Sequence, residues 1–221
     1  MNKFLEVIKN QNYFKNFMTR SVKCSNAIEG NTLSYAETYS IIFLDESLPL
    51  QNVNPRELYE AINLKYAINY SLNNNNKLDN SLIIKINEFI NKNIKETTGF
   101  RKSKVFIKGA DFVPPNPEYV PNSMSELMYQ YNNSDLSIVE RIANFYINFE
   151  HIHPFEDGNG RTGRVIINHQ LISNNEIPIV IPEDRRVEYF NYLQNYDVKG
   201  FAKMIKELQE IEKNKIEEYI I

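Results

Sequence analysis

The sequence predicts a mostly α fold, a helical bundle carrying one short β-hairpin. Apolar residues recur at steps of three and four along most of the chain, the period of a helix with one buried face. Ser, Asn and Pro stand at the points where those stripes begin, as helix starts require. Only the stretch around residues 104–113 reads as β. A chain of 221 residues, 42% of them hydrophobic, can build one substantial core even without tryptophan.

Each element has its own signal. In Ser25-Asn26-Ala27-Ile28-Glu29-Gly30-Asn31, Ser25 and Glu29 lie four apart on one helix face, and Gly30 suits the helix end. Residues 1–32 are therefore expected to form N-terminal helices, and 33–221 a single compact unit. Ser34 with Glu37 reads as a capping box opening a helix through about Leu44. Asn54-Pro55 starts the next, carrying Leu58, Ile62 and Tyr66. Asn73 to Asn76 is a polar loop. Leu82, Ile86, Phe89 and Ile90 trace another stripe. Val105 and Ile107, then Lys108-Gly109-Ala110-Asp111 and Phe112-Val113, suggest a hairpin turning near Gly109. Pro114, Pro115, Pro117 and Pro121 exclude a long central strand after it. Ser123 with Glu126 reads as a second capping box. Ile138, Ile142, Phe145, Phe149 and Ile152 form the strongest stripe and lead directly into His153. Val165, Ile166, Ile167, Leu171 and Ile172 are apolar on most sides, as in a buried central helix. Pro182 precedes Glu183 and Asp184, acidic residues suited to a helix's positive first turn. That helix would carry Tyr189, Tyr192 and Leu193, and a last amphipathic one runs from about Val198 to Tyr219.

Composition bounds the function. The net charge of −3, with no basic block, disfavours nucleic acid as a partner. Cys24 is the only cysteine, so no intrachain disulfide forms, and a small half-buried role is expected of it. Met1 to Phe14 mixes Lys and Asn with apolar residues and does not resemble a secretion signal. No stretch approaches the roughly 20 apolar residues of a membrane span. The expectation is a soluble, cytoplasmic protein with no membrane partner.

Residues 153–164 read His-Pro-Phe-Glu-Asp-Gly-Asn-Gly-Arg-Thr-Gly-Arg. The chain has seven glycines, and Gly158, Gly160 and Gly163 crowd into this stretch; all three histidines (His151, His153, His169) fall in or near it. A helix ending at about Ile152, a tight turn and a second helix starting near Asn159 would leave unpaired N–H donors at a positive dipole end. That is an anion site. Gly158 and Gly160 let phosphate oxygens approach the backbone. Arg161 and Arg164 share one face and can clamp neighbouring phosphates. Asp157 is a hard oxygen ligand for Mg²⁺, and His153 can take a proton from a hydroxyl. Each residue alone has a plain structural reading; the ordered set points to phosphate transfer. The stretch lacks the Gly-Lys-Ser/Thr ending of a P-loop. No third ligand stands at zinc spacing from the His151–His153 pair, so His151 and His169 are read as supporting residues.

These residues resemble the signature of Fic-domain proteins, His-x-Phe-x-Asp-Gly-Asn-Gly-Arg-x-x-Arg, with all eight fixed positions filled. Residues 99 to 128, from Gly-Phe-Arg to Val-Pro-Asn-Ser-Met, are similar to the family's flap and the helix after it. The resemblance implies a Fic fold that transfers AMP from ATP to a Ser, Thr or Tyr hydroxyl of a protein target or of the chain itself, releasing pyrophosphate. It implies His153 as base, Phe155 as anchor and Asp157 on Mg²⁺. Gly158, Asn159, Gly160, Arg161 and Arg164 would hold the ATP phosphates, and Lys104, Val105, Phe106 and Ile107 would form the flap that docks the target. Tyr189 and Tyr192 lie on a helix whose counterpart borders the base in similar proteins. Gly160 favours nucleotidyl transfer, since a phosphorylating branch of the family carries Lys there.

Ser25-x-x-x-Glu29-Gly30-Asn31 is similar to the family's inhibitory motif, here on the same chain. It implies that Glu29 pairs with Arg164 and keeps ATP unreactive; the same glutamate could orient water to remove AMP from a modified protein. Alternative readings are transfer of UMP, phosphocholine or phosphate by the same site, or a non-catalytic module binding nucleotide or partner. An oligomer is compatible with the sequence, which names neither target nor oligomeric state.

Overall fold

In the computed structural model, which describes residues 6–44, 53–74, 77–96, 98–107 and 111–219, regular structure among these residues is entirely helical. Helix α1 spans Gln11–Ile28, α2 Tyr35–Phe43, α3 Pro55–Leu72, α4 Asn80–Asn91 and α5 Val120–Asn132. Then come α6 Ile138–Ile152, α7 Asn159–Ser173, α8 Arg186–Gln194 and α9 Val198–Glu217. No helix among the described residues is long and apolar enough to cross a membrane.

Polar caps set most of the starts. Asn10 accepts from two first-turn amides of α1, and Ser34 with Glu37 makes a full capping box on α2. Asn54 with Pro55 opens α3, Asp79 opens α4, Ser137 opens α6 and Asp197 opens α9. Helix α1 closes on Gly30, whose φ of +101° costs a residue without Cβ nothing.

Two local expectations need correction. Ser123 and Glu126 do not form a capping box: α5 begins earlier, at Val120, out of a 3-10 turn over Pro117–Tyr119. Pro117 and Pro121 fix φ and bring no donor needing a partner, so the helix starts on them without a side-chain cap. Nor do residues 104–107 and 111–113 pair as strands, and the turn expected at Lys108-Gly109-Ala110 lies outside the described residues. A lone two-stranded ribbon is marginal, and Phe106 and Val113, 82% and 75% exposed, find no core beneath them.

The core is continuous through the bundle. Met18, Val22 and Ile28 of α1 join the same cluster as Leu64 of α3, Ile86 of α4, Phe149 of α6, Ile166 of α7 and Phe201 of α9. Helix α7 lies at its centre, packed against α1, α3, α4 and α6. Its first turns are buried along with the rest, Asn159, Arg161, Thr162 and Arg164 included. A helix hydrophobic over its later turns is fixed by burial on every side, so its polar N-terminal end cannot wander.

Candidate active site

The link between α6 and α7 builds the site. His153 ends α6 in the left-handed region, with φ of +50°. Arg101, almost wholly buried, holds it there: Nε donates to the His153 carbonyl at 2.8 Å, and Nη2 to those of Ile152 and Pro115 at 3.3 and 2.6 Å. Carbonyls at a helix end need such donors. Phe155 plugs the loop into the core against Phe100 and Phe149, with ring centroids 5.7 and 6.3 Å away. Asn159 then clasps it. Its Oδ1 accepts from Phe155 N and its Nδ2 donates to Phe155 O, both at 2.9 Å.

Gly158 turns the chain at φ +77°, where a Cβ would lie 3.0 Å from Ile90 and 3.2 Å from the amides of Asn87 and Asn91. Those two side chains of α4 donate to the Asp157 carbonyl at 3.0 Å. Beside the start of α7 lies an open polar pocket, lined among others by Glu29, Asn31, Arg56, Glu60, Asp157 and Arg161.

The pocket's charges are paired. Arg164 Nη2 reaches Glu29 Oε1 at 2.6 Å and Ser25 O at 2.9 Å, while Nε donates to Ser25 Oγ at 2.8 Å. Glu29 sits directly over Gly160; a Cβ there would fall on its carboxylate. Arg161 pairs with Glu60 at 3.3 Å and with Asp157 at 3.4 Å, yet its Nε, fully buried, has no hydrogen-bond partner among the described residues. Asn31 donates to Glu60 at 2.9 Å, linking the loop after Glu29 to α3.

Burial pushes the His153 imidazole down to about 4, since a charged ring there would be stripped of water. It is therefore neutral at pH 7. Its Nδ1 faces the Glu150 carbonyl at 3.4 Å; with a proton on Nδ1, the lone pair is on Nε2. Nearby, burial and then the charge of Glu29 raise the Glu150 carboxyl to about 7. Asp157 suits a single hard cation ligand: its carboxylate is about a quarter exposed at the pocket, and Mg²⁺ typically takes one or two carboxylates with the phosphates. Among the described residues no cluster of three His, Cys, Asp or Glu could hold an ion alone.

The structure thus brings together His153, Asp157, Gly158, Gly160, Arg161, Arg164, Ser25, Glu29 and Asn31. Tyr189 stands behind them, fully buried, its hydroxyl 3.2 Å from Arg164 Nη1 and bonded to Tyr146. Tyr192 bonds Glu188 at 2.6 Å and packs against Phe201. His151 bonds the Leu193 carbonyl and stacks on Phe112, and His169 bonds the Asn74 carbonyl. Sequence reasoning missed Arg56, Glu60, Asn87, Asn91 and Arg101. Asn87 and Asn91, four apart on the apolar face of α4, and Glu60 carried one signal, a polar residue on a buried helix face; Arg56 and Arg101 carried none.

A helical bundle with a Gly-rich buried helix start, a buried histidine and paired arginines has the parts of an anion-binding domain. Residues 77–171 match the model of the Fic/DOC family, and the chain carries a Fic domain. It is 30% identical over 198 residues to the protein adenylyltransferase Fic of Aedes aegypti, covering 84% of this chain and 39% of that protein. To the Drosophila virilis protein of the same name it is 28% identical over 220 residues, 95% of this chain and 44% of that one. The chain thus spans well under half the length of these relatives. Among solved structures, Fic-1 of C. elegans (residues 134–508) superposes with a TM-score of 0.79 at 25% identity, over 95% of this chain and 64% of that one. A Fic-domain-containing signalling protein of Bacteroides thetaiotaomicron gives 0.78 at 23% identity, over 97% and 90%.

Proposed function

We propose that this protein transfers AMP from ATP to Ser, Thr or Tyr hydroxyls of protein targets, releasing pyrophosphate, and that Glu29 holds it inactive. The observation that carries this reading is the carboxylate of Glu29, bonded to Arg164 and seated over Gly160 where phosphate oxygens would approach the nest. The names of the relatives support the same chemistry.

With Glu29 withdrawn, Arg164, Arg161 and the amides at the start of α7 grip the triphosphate. His153, neutral, takes the proton of the target hydroxyl. The hydroxyl oxygen bonds to the α-phosphorus as the bond to the bridging oxygen breaks, and pyrophosphate leaves with the electron pair. Asp157 would hold Mg²⁺, which supplies charge neutralisation on the phosphates. Catalysis here is positioning and electrostatic stabilisation. Residues 104–107 are the docking edge for the target, by main-chain pairing. Tyr189 acts through Arg164, which it braces.

The test is mass spectrometry of the Glu29→Gly protein after incubation with ATP and Mg²⁺. AMP should appear on the protein itself or an added target at least about tenfold faster than with wild type, the scale of one lost charge-assisted contact. His153→Ala in that background should abolish it. Label from α-phosphate must reach protein while γ-label does not; the reverse result, or no change on replacing Glu29, overturns the reading.

A further inference from the structure

The mechanism leaves one cation of the pocket unused. Arg56, in the first turn of α3, donates from Nη2 to Asp157 Oδ2 at 3.0 Å and from Nε to Glu60 Oε1 at 3.1 Å. Glu60 in turn pairs with Arg161 and accepts from Asn31. The guanidinium therefore lines the pocket together with Asp157 and Arg161.

Within α3 itself Arg56 has only the i,i+4 pair with Glu60, in the weaker order with the cation N-terminal to the acid. A helix start is the positive end of the dipole and favours acids, so Arg56 stands against the local rule. Residues that break local rules concentrate at functional sites. Glu60 and Asp157 offset that charge at present. The Arg56 side chain is 56% exposed, and exposed ion pairs are weak. Its partner can be exchanged at little cost, whereas buried Arg161 and Arg164 are fixed.

We propose that Arg56 is a further phosphate-binding residue, parked on Asp157 and freed for the nucleotide when that carboxylate takes another partner. The proposal rests on the reading of this pocket as an ATP site. Asp157 and a phosphate oxygen are alternative acceptors for one guanidinium fork, and the fork geometry suits either. The third cation answers a charge that two arginines leave incompletely balanced.

The experiment is calorimetric ATP binding in EDTA, in the Glu29→Gly protein alone and with Arg56→Ala, Asp157→Asn or both. Replacing Asp157 releases Nη2 of Arg56 and leaves only the Nε contact with Glu60, so Arg56→Ala should weaken binding about tenfold in the Asp157→Asn background, the scale of one charge-assisted bond. With Asp157 present its effect should be within about threefold, because the guanidinium is still held. Arg56→Lys should restore part of the loss. An Arg56 effect below twofold in both backgrounds, or equal in both as a purely structural role would give, overturns the proposal. Thermal midpoints identify any variant that fails to fold, and Arg56→Lys then carries the same comparison. Arg164→Ala separates the two readings: if it too leaves ATP binding unchanged, the pocket is not the nucleotide site. If Arg164→Ala abolishes binding while Arg56→Ala does nothing, only the role of Arg56 falls.

Discussion

Gly163 sits where the first turns of α7 press against α6, and a Cβ there would overlap the ring of Tyr146. That ring is fully buried and cannot retreat. Gly163→Ala should therefore destabilise by about 1–3 kcal/mol, the usual cost of overpacking, read as a lower urea midpoint with unchanged slope. Ser25 carries a different kind of cost. Its hydroxyl and carbonyl both accept from Arg164, so it shares the guanidinium with Glu29. Ser25→Ala removes one charged hydrogen bond and should raise AMP transfer by roughly threefold to tenfold, less than Glu29→Gly does. Equal transfer by wild type and Ser25→Ala would show that the helix needs no such hold. The neutral state of His153 fixes a third expectation. With its pKa pushed down to about 4 by burial, the rate of the Glu29→Gly enzyme should not fall between pH 8 and 6 on account of this base. A drop with an apparent pKa near 6.5 would mean a solvated imidazole.

At the scale of elements, α1 carries Ser25 to Arg164 and leads into Glu29 beside it. It is tied at both ends. Near its start Tyr13 donates to Glu212 of α9 at 2.7 Å, and at its middle Arg20 forks onto the same carboxylate at 2.7 and 2.8 Å. At its end, Arg186 of α8 donates to the Ile28 carbonyl at 2.7 Å and Arg164 grips Ser25. Glu212 is only 1% exposed, so Arg20→Ala would strand a buried charge. The expected loss is about 3–5 kcal/mol in denaturant unfolding. Helix boundaries show how far local chemistry reaches. Ser34 and Glu37 predict a capping box and form one, because nothing distant competes. Ser123 and Glu126 present the same pattern inside α5, where prolines upstream had already begun the helix.

For the whole molecule, buried histidines and a buried glutamate oppose each other. Between about pH 4 and 6.5 the unfolded chain binds a proton at His153 that the folded protein refuses, so this group makes stability rise with pH. His169, also lowered by burial, acts in the same direction. Between about pH 4.5 and 7 the folded protein keeps a proton on Glu150 that the unfolded chain releases, so that group makes stability fall with pH. The two largely mask one another. Glu150→Gln should unmask the histidines: its thermal midpoint, relative to wild type, should climb from pH 4.5 to 7. A constant difference across that range would show that Glu150 is not protonated in the fold.

What the sequence alone determined is whatever depends on neighbours in the chain: the helical periods, the caps at Ser34 and Asn54, the end of α1 at Gly30, and the nest from Gly158 to Arg164. The tertiary structure alone decided which groups from other helices meet there. Arg56 and Glu60 of α3, Asn87 and Asn91 of α4 and the clamp of Arg101 come from 50 or more residues away. It also turned Tyr189 into a brace behind Arg164 and left residues 104–107 without strand pairing. The physical reason is range: backbone preference and dipole act within a turn or two, whereas charge pairing and burial act between surfaces that only packing brings together.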